Sequence, residues 1–165
     1  MTAGRFWELQ QFSYVETYSF NRDPKRATLI RETKQELRAA RYMRQPALRQ
    51  LLERLEDGFY TLTQGLENIH PTATRVARID QSSAQGQQLA AIFRQAGKPE
   101  GYAMCAPSYR DALAFYDAQG QLVRVLNICF ECQHMQADTG SQVEAGEAVY
   151  QALYLYLAQL GHPIA

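Results

Sequence analysis

The chain has 165 residues, of which 46% are hydrophobic and 21% charged, with seventeen basic and seventeen acidic side chains. This length fits one domain that can bury a core without disulfides or metals. The zero net charge argues against a dedicated nucleic-acid binder. There is no signal-peptide pattern and no apolar run of about 18 residues, so we expect no membrane segment. We expect a cytoplasmic protein whose three cysteines are reduced.

The zero net charge hides an uneven distribution along the chain. Between Arg22 and Arg54 there are ten basic residues and four acidic ones. After Lys98 the balance reverses, with seven acidic residues against Arg110 and Arg124. The sequence therefore predicts a basic N-terminal half and an acidic C-terminal half, each of which could hold a partner of opposite charge.

The first third of the chain predicts a strand followed by two helices. Aromatic and β-branched residues in "FWELQQFSYVETYSF" (6–20) are typical of a strand. Asp23 as a cap and Pro24 at the first position predict a helix, and Pro46 begins a second helix that ends at Gly58. These two helices form a basic pair over 24–57.

The middle of the chain is harder to interpret. Residues 59–62 predict a short strand, and 74–79 alternate well enough for another. A serine cap at Ser82 or Ser83 begins a helix over 84–96 that Gly97 ends, with Gly86 as its weak point.

The clearest pair of elements follows in the last third. "ALAFYD" and "QLVRVLNICF" flank a turn at Gly120, which predicts a β-hairpin over 112–130. A final helix over 143–160 has Ser141 as its cap and ends at Gly161. Because helices and strands are mixed and the best strand pair is antiparallel, we predict an α+β fold in one domain spanning 1–165. We expect a mainly antiparallel sheet with a central hairpin to pack on the helices. Residues 72–165 form the core of this predicted domain, and the basic helical pair over 24–57 is a subregion added to it.

The strongest chemical signal is "CFEC" at 129–132. Cys105, Cys129, Cys132 and His134 have the residue types of a Cys3His zinc site, and the hairpin could bring Cys105 close to the other three. One CxxC is a weak signal, and cysteine is often simply buried. Three alternatives stay open: buried thiols, a metal site, and redox chemistry or a disulfide. We therefore expect either no cofactor or a bound zinc ion.

Other catalytic patterns are weak or missing. The sequence contains no GxSxG, P-loop, GxGxxG or HExxH motif, and no histidine has a nucleophile or carboxylate at a recognisable spacing. Whether the protein is an enzyme stays open, and the missing motifs favour a function without catalysis. Arg31, Arg38, Arg41 and Arg44 in the basic pair could contact phosphates, and a solvated helix face is the plainer interpretation.

The last ninety or so residues resemble an uncharacterised group of small bacterial proteins. The resemblance rests on "MCAPSYRDALAFYDAQGQLVRVLNICFECQHM" and a last helix ending "YLAQLGHPI". The matching positions are Cys105, Phe115, Tyr116, Asp117, Gly120, Cys129, Phe130 and Cys132. The chain departs from the group at 106–110, where an Asn-Pro-Arg-His-like string is expected. The resemblance implies that the three cysteines share one structural site.

The leading functional hypothesis is a non-enzymatic protein-binding module. Small cytoplasmic bacterial proteins of this kind include immunity proteins and antitoxins that neutralise a toxin, so the expected partner is a toxin protein. This step is analogy with such proteins. The expected contact residues are Arg31, Arg38, Arg41 and Arg44. The alternatives are a zinc- or thiol-dependent protein using the three cysteines and His134, and nucleic-acid binding through the basic helices.

Overall fold

A computed structural model describes residues 1–57, 60–95 and 105–164. Its described residues form five α-helices, one short 3-10 turn at Tyr42–Arg44 and six strands. In chain order the elements are α1 (Ala3–Leu9), β1 (Tyr14–Ser19), α2 (Lys25–Ala39), α3 (Gln45–Glu56), β2 (Thr74–Asp80), α4 (Ala84–Phe93), β3 (Asp111–Tyr116), β4 (Leu122–Cys129), β5 (His134–Ala137), β6 (Gln142–Val143) and α5 (Glu147–Gln159).

The strands form one antiparallel sheet in the order β2-β1-β3-β4-β5-β6. The predicted hairpin is its centre, where β3 pairs with β4 so that Ala114 lies opposite Val125. All but one of the β3 residues are buried, as expected for a strand with neighbours on both sides. The single-domain α+β fold, its antiparallel sheet and its central hairpin are confirmed.

Helices cover one face of the sheet. Side chains of α1, α4 and α5 pack on Leu113, Phe115, Leu126 and Ile128 in one continuous apolar core. Burying this much aliphatic and aromatic surface is the main source of stability for the domain.

The opposite face of the sheet is covered in part by the segment 60–73. Leu62 is fully buried there, and its backbone N–H donates to Asn127 Oδ1 at 2.8 Å. Tyr18, Phe20 and Tyr109 complete a second, smaller apolar cluster on this face.

The basic helices α2 and α3 form an antiparallel hairpin that packs mainly on itself. Arg26 near the start of α2 donates to the carbonyl oxygen of Leu55 near the end of α3 at 2.7 Å. Lys25 Nζ donates to Thr74 Oγ1 at 3.1 Å, which ties the base of this helical hairpin to β2. The turn at Tyr42–Arg44 therefore lies at the far end. None of the helices in the described ranges is long and apolar enough to cross a membrane.

The predicted strand over 6–20 is correct only from Tyr14 onward. Residues 3–9 form α1 instead, with the Thr2 hydroxyl accepting from Arg5 N at 3.3 Å as an N-cap. Phe6 and Trp7 lie on the helix face that meets the core, where the Trp7 ring stacks on Phe93 at 5.1 Å. Aromatic residues favour strands on average, and here burial overrides that preference.

Two predicted caps are also wrong. Asp23 does not cap α2, whose N-cap is Pro24 without a side-chain hydrogen bond. Ser141 does not cap the last helix, because residues 142–143 pair with β5 and α5 begins only after Gly146. The short strands β5 and β6 were not predicted, because strands of four and two residues are too short to give a clear alternation.

The prediction around α4 is partly confirmed. Ser83 is the N-cap, and its hydroxyl accepts from Gly86 N at 3.0 Å. Gly86 is required rather than weak, because a Cβ there would collide with the carbonyl oxygens of Asp80 and Gln81. Residues 60–62 are not a strand. The predicted ends at Gly58 and Gly97, and the start of the 59–62 strand, lie outside the described residues.

Candidate functional site

The structure joins Cys105 and Cys132 in a disulfide, with their Cα atoms 5.9 Å apart. Cys132 lies in the turn between β4 and β5, and Cys105 is exposed. Cys129 is a free thiol, only 2% exposed, at the end of β4. The expectation of three reduced thiols is therefore wrong for two of them, and the third is the buried thiol that the sequence allowed.

His134 faces an aromatic and amide neighbour. The Tyr109 hydroxyl donates to Gln136 Oε1 at 2.8 Å and lies 3.0 Å from His134 Nδ1. Because that hydroxyl has only one proton, Nδ1 of His134 is the donor of the second hydrogen bond. Burial lowers the pKa of His134 and raises the pKa of Tyr109 to about 12, so both are neutral at pH 7.

The predicted ligands Cys105, Cys129, Cys132 and His134 thus lie in one region without forming a metal site. Two sulfurs are bonded to each other, and the δ-nitrogen of His134 is engaged by Tyr109. Within residues 1–57, 60–95 and 105–164, no three His, Cys, Asp or Glu side chains are arranged to hold a metal ion. The zinc hypothesis has no support from this geometry.

A buried polar chain that the sequence did not reveal resembles a hydrolytic triad. His162 Nδ1 lies 2.7 Å from Asp111 Oδ1, and His162 Nε2 lies 2.8 Å from Thr17 Oγ1. Arg22 Nη2 donates to the other oxygen of Asp111 at 2.6 Å. The three triad-like side chains are essentially inaccessible to solvent, whereas a catalytic nucleophile must meet its substrate. The arrangement attaches the chain end after α5 to β1 and β3.

The predicted contact residues all lie on the basic hairpin and all are exposed. Arg31 and Arg38 are seven residues apart and so share one flank of α2. Arg44 is paired with Glu36. The side chains of Arg31, Arg38 and Arg41 make no hydrogen bond or ion pair with any residue that the structure describes, so their charges face solvent.

An exposed apolar pair completes the far end of this hairpin. Tyr42 is 83% and Met43 86% exposed, more than any other large hydrophobic side chain in the described residues. We call Arg31, Arg38, Arg41, Tyr42 and Met43 the tip surface. The charges were visible in the sequence, but the exposure of Tyr42 and Met43 depends on the turn between α2 and α3.

No protein-family model, curated protein or solved structure matches the chain. The resemblance to small bacterial proteins, and the function drawn from it, stay predictions.

Proposed function

We propose that the protein is a non-enzymatic protein-binding module and that the tip surface is its contact surface. The observation that carries this proposal is the nearly complete exposure of Tyr42 and Met43 on a hairpin whose arginines Arg31, Arg38 and Arg41 have no counter-ion among the described residues. Tyrosine, methionine and arginine are enriched in protein interfaces, and tyrosine and arginine often supply most of the binding energy.

The charge of the tip surface defines the partner. Arg31, Arg38 and Arg41 complement an acidic protein surface, and such complementarity accelerates association and excludes basic partners. By analogy with small bacterial proteins, the partner is a toxin and this protein is of the immunity or antitoxin kind. The toxin surface is then acidic around an apolar pocket that takes Tyr42 and Met43.

The decisive experiment places a photo-crosslinking amino acid at position 42 or, as a matched control, at position 155. Leu155 is 60% exposed on α5. We expect one protein from the native host to cross-link at position 42 and not at position 155. That protein, once purified, should bind with 1:1 stoichiometry in a calorimetric titration.

Variants of the tip surface then give the energetics. Replacing both Tyr42 and Met43 by alanine should weaken the complex at least 30-fold, as loss of hot-spot side chains does. Arg38→Gln should mainly slow association and reduce its salt dependence. Leu155→Ala should leave the affinity unchanged.

Two results would contradict the proposal. Cross-linking at position 155 alone would place the interface on α5. Binding of labelled duplex DNA or single-stranded RNA, with affinity that falls steeply with salt and is lost in Arg38→Gln, would assign the tip surface to nucleic acid.

A further inference from the structure

A groove runs along α3 on the same hairpin as the tip surface. Its helical wall has residues at spacings of three and four, which share one face of α3, and its other wall is the segment 64–71. The cavity has a volume of about 340 Å³, within the range of natural ligand sites. It is therefore large enough to hold one or two amino-acid side chains of a partner.

Arg54 supplies a positive charge in this groove. Its Nη2 donates to the carbonyl oxygen of Asn68 at 2.5 Å, and its Nε is buried with no hydrogen-bond partner in the part of the chain that the structure describes. No acidic side chain of the described residues is paired with it. A guanidinium held in this way is suited to a carboxylate, which it binds through charge-assisted hydrogen bonds.

Apolar side chains lie beside that charge. Leu51 of α3 and Ile69 of the facing segment both line the groove, and Ile69 is 42% exposed. Gln50 and Gln64 are also part of its lining, and a glutamine side chain can both donate to and accept from a peptide backbone. An apolar wall with a few converging polar groups is the usual composition of a recognition site.

We infer that this groove binds a short acidic segment of the partner protein, with a carboxylate on Arg54 and a neighbouring aliphatic side chain against Leu51 and Ile69. The inference rests on the proposed function, since the same partner would contact the tip surface. The two surfaces belong to one hairpin, because α3 follows directly after the tip and also forms the groove wall.

The test is a titration of the full-length, ¹⁵N-labelled protein with the blocked dipeptide acetyl-Leu-Glu-amide. The control is acetyl-Leu-Gln-amide, which has the same shape without the charge. We expect the charged dipeptide to shift the NMR signals of residues 50–54 and 66–69 and of the Arg54 Nε–H group. The neutral dipeptide should bind about tenfold more weakly, as expected for loss of a charge-assisted hydrogen bond.

Two variants make the result specific to the groove. Arg54→Gln should abolish the preference for the charged dipeptide, and Ala47→Phe should fill the groove and weaken binding of both dipeptides. Ala47 is exposed, so the second variant should fold normally, which a thermal melt verifies.

Several outcomes would overturn the inference: equal binding of the two dipeptides, shifts confined to other surfaces, or no shifts at about 20 mM, where millimolar affinity would be visible. If the dipeptide does not bind but a partner cross-links at position 42, only the inference about the groove is refuted and the proposed function is retained. If the charged dipeptide binds but no protein partner is found, the groove is a carboxylate-binding site and the proposed function is refuted.

Discussion

Acidification should weaken the fold through His70, which is only 1% exposed. Its Nδ1 lies 2.8 Å from the Thr72 hydroxyl oxygen and accepts from the Thr72 backbone N–H at 3.3 Å, and its Nε2 faces the carbonyl oxygen of Arg54 at 3.1 Å. Nε2 therefore carries the single proton, and the ring is neutral. Burial, reinforced by the charges of Arg54 and Arg26, lowers the pKa of His70 to about 4.

The sign of the effect follows from proton binding. An unfolded histidine has a pKa of about 6.5, so the unfolded chain binds a proton at His70 below that pH. In the folded protein the same ring binds a proton only near its lowered pKa of about 4. The contribution of His70 to stability is therefore fully present above pH 6.5 and falls as the pH drops toward 4. Between pH 7 and pH 5 these two pKa values give a loss of about 2 kcal/mol in the free energy of unfolding.

The assay is urea unfolding of the wild type and of His70→Gln at pH 7 and pH 5. The variant removes the titrating ring, so it should lack about 2 kcal/mol of the pH-dependent loss, whatever the other groups contribute. An NMR titration of the His70 ring gives an independent measurement. A ring pKa near 6.5 in the folded protein, or the same pH dependence in the variant, would refute the reasoning.

Two further predictions concern the buried polar chain and the disulfide. Asp111→Ala should lower the free energy of unfolding in urea by about 3–5 kcal/mol, because it leaves Arg22 and His162 without their carboxylate; a loss below about 0.5 kcal/mol would show that the chain is not structural. The bond between Cys105 and Cys132 spans 27 residues, so Cys105→Ser or reduction should cost about 3–4 kcal/mol. Three thiols reacting in the native, unreduced protein would contradict the second prediction.

The sheet was predictable where strand alternation and turn chemistry agree. The hairpin around Gly120 carries both signals, and Gly120 has the positive φ of 78° that its turn requires. The segment 3–9 was misjudged because aromatic residues suit a strand as well as the buried face of a helix, and only the contacts of Trp7 with the core decide between them. Local propensity cannot supply that long-range information.

The candidate sites were less predictable than the fold. The basic residues of α2 could be counted in the sequence, but which of them lacks a counter-ion depends on α3, where Glu56 neutralises Lys34. The cysteines were identified as a group, yet the choice between a metal site and a disulfide needed the position of Cys105 relative to the turn after β4. The buried polar side chains Thr17, Asp111 and His162 are brought together from almost the whole length of the sequence. No local sequence pattern could reveal that arrangement.

The contact between His70 and Arg54 links stability to the proposed binding surface. His70 holds the backbone of α3 at the residue whose side chain lines the groove, and its neighbour Thr72 accepts from the backbone N–H of Asn21 at 2.8 Å. Protonation of His70 would place a proton on Nδ1, which the Thr72 hydroxyl oxygen at 2.8 Å can accept, but the Thr72 backbone N–H would lose its acceptor and the ring would carry a buried charge. The packing contact between α3 and the segment 60–73 should therefore open before the sheet does. Amide exchange at pH 5 should rise first in residues 66–72, while the amides of β3 and β4 stay protected.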